Sequence, residues 1–264
     1  MLVRGGVGRR GGPGMGTEER QRAHGRHTPR TWLANRRFRH LDRPDSLSGA
    51  RAQQQIDYLA RKLGSRHPDT LRARETLAFW LSREGFPAVA LSLTEAEVAD
   101  RTAESGPGHP DTLRARGNLV RYRRATGDLP GAIADLQALL EDTTRFLGAD
   151  DQETHRHRRH LAELLGEAGD TDEEIGRLRT LLAEEETLGA AWEEAARITR
   201  SPLARALERR GDFVEALALV EQLVAAERVK IYGIDENLTQ APLRWLIEWR
   251  DRLAALVRRA GQSP

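Results

Sequence analysis

Two copies of one tetrapeptide carry the side chains best suited to acid–base chemistry. His-Pro-Asp-Thr stands at His67–Thr70 and again at His109–Thr112, 42 residues later. A histidine beside an aspartate is a pairing that general-base catalysis uses, with a hydroxyl as the candidate nucleophile. The exact return of the motif favours a structural role instead. Proline fits the first position of a helix, so each histidine is predicted to be a helix N-cap.

A second histidine group, in the segment Thr154–His160, has the spacing of a metal site. His157 and His160 would share one face of a helix, as two zinc ligands do. Three arginines occupy the same turns: Arg156, Arg158 and Arg159. They repel a cation, and no carboxylate ligand stands beside the histidines. We therefore expect no metal here, and the repeat alignment described below predicts an interior position for His155.

No other catalytic constellation stands out in the sequence. A phosphate-binding glycine loop would end in Gly-Lys-Ser/Thr, but the glycine-rich stretch Gly11–Gly16 lacks both the lysine and a flanking strand. Neither a nucleophile elbow nor a His-Glu-x-x-His or kinase-type element occurs. We predict a protein that is not an enzyme and that uses no cofactor.

Composition favours an elongated helical protein. Of 264 residues, 39% are hydrophobic and 31% are charged, which suits a stack of units that each touch only their neighbours. The absence of cysteine excludes disulfides, thiolate metal sites and cysteine nucleophiles. The formal net charge of +2 selects neither nucleic acid nor membrane. Because no apolar run reaches the length of a transmembrane helix or forms a signal-peptide core, we expect a cytoplasmic protein.

A fixed period of 42 residues organises the chain. A leucine is followed eight residues later by a glycine in four successive units: Leu77/Gly85, Leu119/Gly127, Leu161/Gly169 and Leu203/Gly211. Such a period is typical of solenoids, in which each unit is one pair of helices. The glycine is predicted to end the first helix in a left-handed conformation. Alanine follows five residues later at Ala90, Ala132 and Ala216, and Glu174 is the exception.

The period predicts the domain organisation. The units are 28–69, 70–111, 112–153, 154–195 and 196–238, followed by a C-terminal capping helix over 239–261 with Trp245 and Trp249 one turn apart. The helix pairs near the junction 188–199 are predicted to run almost continuously, and Pro202 predicts a kink or a late helix start. Residues 1–27, rich in glycine and arginine, are predicted to be a disordered tail. Two alternatives for this tail stay open: a nucleic-acid-binding segment, or an upstream stretch if translation begins at Met15.

With these residues in view, the chain resembles the tetratricopeptide repeat (TPR) family, in its 42-residue kinesin-light-chain-like branch. The matching pattern is Leu-Gly-x-x-His-Pro-Asp-Thr-Leu-x-x-Arg-x-x-Leu, then the turn glycine, then the alanine of the second helix. It stands at Leu63–Leu77, Gly85 and Ala90, with a second good copy over Gly106–Ala132. The resemblance implies an all-α, right-handed solenoid of about five antiparallel helix pairs. Arg74 and Arg116 depart from it, because the family often has a tryptophan-like core residue there.

The resemblance also implies that the first helices line a concave groove. Counting from the turn glycine maps a set of arginines to this groove: Arg72, Arg114, Arg121, Arg124, Arg156, Arg159 and Arg205. Guanidinium groups bind carboxylates in bidentate fashion, so the groove would suit an acidic peptide or a free C-terminus. Alternatively, these arginines are simply solvated and paired with acids along the helix, as Arg72 would be with Asp69.

The function implied is that of a non-catalytic scaffold that binds a partner protein. Two alternatives stay open. The chain would be a regulatory module that binds a small anionic or peptide ligand and controls an effector in trans, or, more weakly, it would bind nucleic acid through the tail and groove. Self-association through the helix that carries Trp245 and Trp249 is a further prediction.

Overall fold

The computed structural model describes residues 48–231 and 240–261, and within these ranges the chain is helical throughout, with no strand. The helices are α1 (Ser48–Leu63), α2 (Pro68–Arg83), α3 (Pro87–Ser105), α4 (Pro110–Ala125), α5 (Leu129–Leu147), α6 (Gln152–Glu167), α7 (Thr171–Thr187), α8 (Glu193–Arg210), α9 (Phe213–Ile231) and α10 (Gln240–Ala260). The predicted all-α class is confirmed. The predicted tail 1–27, the first helix of the unit 28–69 and residue 239 lie outside the described residues.

The helices form a linear stack of pairs. Each helix packs mainly against the helix before it and the helix after it in the chain, and short turns make these neighbours antiparallel. Four complete pairs are described: α2/α3, α4/α5, α6/α7 and α8/α9. We call α2, α4, α6 and α8 the first helices. They also contact each other across pairs, α2 with α4 and α6 with α8. This is the predicted solenoid.

Small residues lie at the helix contact in three of the four described pairs. Ala90, Ala132 and Ala216 on the second helices are fully buried, as the repeat predicts. Leucines of the same and neighbouring helices surround Ala132 and Ala216, among them Leu136 and Leu203. Ala90 packs with Ala78 and Tyr122. Burying one leucine side chain stabilises the fold by about 2 kcal/mol, so packing between neighbouring helices supplies most of the driving force.

The tetrapeptide residues begin the first helices, as the sequence predicts. The Nδ1 atom of His67 accepts a hydrogen bond from the backbone N–H of Asp69 at 3.2 Å, and His109 caps α4 in the same way at 3.2 Å. Asp151 caps α6, accepting from the N–H of Glu153 at 2.8 Å. These side chains satisfy N–H groups that a helix start leaves without an intrahelical partner.

At two junctions the motif threonine joins one unit to the next. The hydroxyl of Thr70 donates to the carbonyl oxygen of Gly64 at 2.9 Å, and that of Thr154 donates to Gly148 at 2.8 Å. Each bond links the end of a second helix to the start of the following first helix. Both threonines are buried, so these hydrogen bonds are partly shielded from water. At these two junctions the motif therefore helps to fix how consecutive units are placed, whereas the buried hydroxyl of Thr112 has no hydrogen-bond partner among the described residues.

The turn glycines adopt the predicted conformation. Gly127 has φ of +87°, a region that costs an L-residue about 1 kcal/mol or more, and the other three turn glycines are also left-handed. The prediction of near-continuous helices at 188–199 is wrong. Helix α7 ends at Thr187, and Gly189, with φ of +84°, turns the chain away from the helix direction. A short 3-10 segment over Ala190–Trp192 then precedes α8. Pro202 lies inside α8 and does not delay its start.

Arg74 and Arg116, the two departures from the family pattern, belong to a repeated ion pair. In three consecutive pairs an arginine of the first helix contacts a carboxylate of the second helix 26 residues later: Arg74–Asp100, Arg116–Asp142 and Arg158–Glu184. The fourth pair has alanine at the carboxylate position, and Arg200 contacts Glu186 and Glu193 instead. Because the Arg74 and Arg116 side chains are each only 17% exposed, these pairs are better shielded from solvent than typical surface ion pairs.

Glu174 stands where the other units have alanine, and a glycine accommodates it. Its side chain is 3% exposed and bonds to Arg209. A Cβ atom added at Gly166 on α6 would overlap the carboxylate of Glu174. The glycine therefore makes room for a buried charge that the other units lack at this position.

This arrangement predicts opposite effects of one substitution in two backgrounds. In the natural protein, Gly166→Ala should lower the free energy of unfolding by about 1 kcal/mol or more, because the new methyl group displaces Glu174. In a Glu174→Ala background the same change should raise it by up to about 1 kcal/mol, since alanine is the better helix former. Urea unfolding of the four proteins measures both. Equal effects of Gly166→Ala in the two backgrounds would contradict the contact.

Candidate functional site

Two clefts lie along the first helices, where the groove is predicted. The larger, which we call the C-terminal cleft, has a volume of about 850 Å³. It is lined by residues of α6 to α10, among them Glu163, Ile198, Arg205 and Trp245. The smaller, about 300 Å³, lies between α2 and α4 and is lined by residues that include Phe79, Trp80 and Arg121. We call it the N-terminal cleft.

Three of the predicted groove arginines are engaged by carboxylates. Arg114 contacts Glu75 of the preceding first helix and bonds to Asp111 at 2.8 Å. This hydrogen bond is the main cause of the lowered pKa of Asp111. Arg124 forms a two-pronged pair with Glu167, and Arg156 pairs with Glu153 within its own helix, with Nε at 2.9 Å. These guanidinium groups already have the partners that a ligand would otherwise supply.

Arg72 and Arg159 differ in exposure. The side chain of Arg72 is 60% exposed and lies 4.0 Å from Asp69, the predicted helix-surface pair. Arg159 is 11% exposed; it donates to Thr199 at 2.9 Å and lies 3.6 Å from the buried Glu185. Burial lowers the pKa of Arg159, an effect that Glu185 opposes. Arg159 therefore belongs to the interior between α6 and α8 more than to an open surface.

Arg121 and Arg205 have no carboxylate within ion-pair distance among the described residues. Arg121 bonds to the amide oxygen of Asn118, and Arg205 donates to the hydroxyl of Ser201 at 3.0 Å. Each guanidinium lies over an aromatic ring, Arg121 at 5.2 Å from the Tyr122 centroid and Arg205 at 5.8 Å from that of Trp245. The two arginines occupy the same repeat position, two units apart. Each lines one of the clefts.

The groove also contains apolar and acidic side chains that sequence analysis did not select. Phe79, Ile198 and Trp245 are 36%, 43% and 48% exposed. Carboxylates line the C-terminal cleft as well, and one of them, Glu163, occupies the repeat position of Arg121 and Arg205. Periodicity could have located it, because position 163 lies 42 residues from both Arg121 and Arg205.

The histidine segment packs into the protein interior. His155 is 1% exposed, as predicted, with Nδ1 at 3.3 Å from Glu185 and its ring 4.5 Å from that of Trp192. Arg156 lies 3.3 Å from Nε2 of His157, where it donates if that nitrogen is unprotonated. Among the described residues, no three side chains of the metal-binding types are grouped to hold an ion.

The helix that carries the two neighbouring tryptophans packs against the last described pair. Trp249 is 3% exposed, and its indole N–H donates to Glu208 of α8 at 2.7 Å. Trp245 packs against Trp249 with ring centroids 5.2 Å apart and faces the C-terminal cleft. One tryptophan thus anchors α10 and the other lines the cleft. Self-association through α10 stays a prediction.

Comparison with solved structures identifies the repeat type. A crystal structure of kinesin light chain nearly identical TPR-like repeats from Podosopora anserina has a TM-score of 0.61 and 22% identity, and covers 82% of this chain and 99% of its own. A variant of that protein with one substitution gives a TM-score of 0.63 at 22% identity, over 83% and 100% of the two chains. The chain has a TPR-like repeat fold. BtubC from P. vanneervenii is also similar, with a TM-score of 0.59, 18% identity and coverage of 78% and 80%.

The TPR-like fold is supported by structure rather than by sequence comparison. No protein-family model and no curated protein matches the chain. Within the described part of this TPR-like protein, none of the helices combines the length and apolar character that a membrane crossing requires.

His157 predicts a stability change with pH. Burial, with help from Arg156, lowers the pKa of its imidazole from 6.5 to about 4. Between these two pKa values the imidazole is protonated in the unfolded chain but not in the folded chain. The free energy of unfolding is therefore highest above pH 6.5 and falls as the pH drops toward 4. Between about pH 7.5 and about pH 5 this group should cost about 2 kcal/mol of unfolding free energy.

The control for this prediction comes from the repeat itself. Alanine is buried at the equivalent positions Ala73 and Ala115, so His157→Ala fits the site. Urea unfolding at the two pH values should show a smaller loss for His157→Ala than for the natural protein, by about 2 kcal/mol. An unchanged loss would mean that His157 takes up its proton normally in the folded state.

Proposed function

We propose that this chain is a cytoplasmic, non-catalytic scaffold that binds a partner protein through a peptide segment lying in the first-helix groove. Carboxylates of the peptide, from acidic side chains or a free C-terminus, contact Arg121 and Arg205. The observation that carries the proposal is that neither guanidinium group, one in each cleft, has a carboxylate partner among the described residues; their hydrogen bonds go to the neutral side chains of Asn118 and Ser201. Hydrogen bonds between two ionised groups are the strongest of the polar contacts such a groove can offer.

Exposed apolar side chains support a peptide rather than a simple anion. Phe79, Ile198 and Trp245 are each more than one third exposed beside the two arginines. Such side chains in a polar groove provide anchoring contacts, because burying them on binding releases water from apolar surface. The ring of Tyr122 lies under Arg121 and that of Trp245 under Arg205. These contacts restrict the two arginine side chains, which lowers the entropy lost on binding.

A non-catalytic role agrees with the use of the motif histidines. His67 and His109 use their Nδ1 lone pairs for helix capping, so this nitrogen is not available to take a proton from a substrate.

A small anionic ligand is the second candidate, because the C-terminal cleft is as large as many small-molecule sites. A ligand that acts in trans through an effector would raise the melting temperature of the isolated protein by mass action. Nucleic acid is the weaker alternative, since the carboxylates of the cleft repel phosphates.

Selection from a random peptide library tests the proposal. The natural protein should enrich sequences that combine Asp or Glu, or a C-terminal carboxylate, with aromatic or aliphatic residues. The double variant Arg121→Glu/Arg205→Glu should bind the selected peptides at least about tenfold more weakly, because each reversal replaces an attraction with a repulsion. Fluorescence anisotropy measures the affinities.

The matched control reverses two arginines of second helices, Arg61→Glu/Arg145→Glu, which leaves the net charge equal to that of the groove variant. Both residues are exposed and line neither cleft. The control should bind like the natural protein. An equal loss of peptide affinity in both variants would mean that only the overall charge of the protein matters. Unchanged affinity in the groove variant would refute the groove contact. Citrate in a thermal-shift assay checks the small-anion alternative.

A further inference from the structure

The C-terminal cleft contains negatively charged groups, which do not complement an acidic peptide. Four glutamates line it: Glu163, Glu167, Glu174 and Glu227. Two of them are already paired, Glu167 with Arg124 and Glu174 with Arg209. For Glu163 and Glu227, no ion pair exists within the described ranges 48–231 and 240–261. Arg197 and Arg209 also line the cleft, but they pair with Glu194 and Glu174, and Arg197 also acts on Glu227 at longer range. The groups of the cleft without an ion pair are therefore two carboxylates and one guanidinium, that of Arg205.

The N-terminal cleft is different. Its one glutamate, Glu75, is engaged by Arg114 and also accepts from Asn118 at 3.2 Å. Only Arg121 remains there for a charged ligand group. The two clefts thus present different charges although they derive from the same repeat positions. A ligand that extends along the groove would contact only a positive group in the N-terminal cleft and groups of both charges in the C-terminal cleft.

Partial burial of Glu163 makes a cationic partner favourable. Burial raises the pKa of this carboxyl, because a charge loses hydration there, while Arg159 and Arg205 act in the opposite direction. A cationic ligand group would replace the lost hydration with a charge-assisted hydrogen bond. The apolar wall of Ile198 and Trp245 is suited to the methylene stem of a lysine or arginine side chain, whose charged end then reaches the glutamates.

From this arrangement we infer that the C-terminal cleft selects a peptide segment in which a lysine or arginine adjoins an acidic residue. Glu163 and Glu227 contact the cation, Arg205 contacts the acid, and Ile198 and Trp245 pack against the stems. The inference rests on the proposed peptide-binding function and names its specificity. It differs from a purely acidic ligand, which the glutamates would repel.

Three peptide pools with identical randomised flanks test the inference. Their fixed centres are Arg-Glu, citrulline-Glu and Arg-Gln, where citrulline keeps the shape of arginine without its charge. The natural protein should bind the Arg-Glu pool at least about tenfold more tightly than either other pool in fluorescence anisotropy. Glu163→Gln/Glu227→Gln should reduce binding of the Arg-Glu pool to the level of the citrulline-Glu pool and leave the latter unchanged or improved.

The control variant Glu141→Gln/Glu221→Gln removes the same charge from exposed positions on second helices and should bind all pools like the natural protein. Equal affinity for the Arg-Glu and citrulline-Glu pools would overturn the inference, as would an unaffected Glu163→Gln/Glu227→Gln variant. If the citrulline-Glu pool still bound in a manner that Arg205→Glu abolished, the proposed acidic contact would stand without the inference. No binding of any pool would overturn both.

Discussion

At two junctions of the stack, a hydrogen bond from the motif threonine to the glycine carbonyl of the preceding unit links consecutive units. Thr70 and Thr154 make this bond at 2.9 and 2.8 Å, beside helix starts that are capped by His67 and Asp151. The third motif threonine, Thr112, is equally buried, but its hydroxyl has no hydrogen-bond partner among the described residues. Because a solenoid unit touches only its neighbours, an error in one junction would be passed to every later unit. Contacts between buried alanines and leucines hold neighbouring helices together, and the junction hydrogen bonds help to align them.

A fixed register makes the groove a row of equivalent positions. One such row reads Phe79, Arg121, Glu163 and Arg205 along four successive first helices. Each substitution in the row changes the ligand chemistry at one point while the backbone stays in place. The fold can therefore present an apolar, a basic and an acidic group in sequence. This separation of framework from contact surface would let the proposed binding site change its selectivity while the stack stays the same.

Local and periodic features could be predicted from the sequence, whereas the ion pairs between different helices could not. Helix starts, the turn glycines and the interior position of His155 follow from residue types at fixed spacing. The arginines of the groove were found by the same counting, but their partners come from elsewhere: Glu75 lies 39 residues from Arg114, and Glu167 lies 43 from Arg124. Such contacts depend on rotamers of neighbouring helices. The break at Gly189 was missed because one glycine in a helical pattern is a weak signal.

The most direct test of the groove is to locate a bound peptide by paramagnetic NMR. A library-selected peptide carrying a spin label broadens signals of nearby protein groups. The structure predicts broadening at Ile198 and at the indole of Trp245, which line the C-terminal cleft. Val214 and Phe146, which are exposed on second helices, should stay sharp. Broadening confined to Val214 and Phe146 would contradict the account, because the ligand would then lie on the second-helix side.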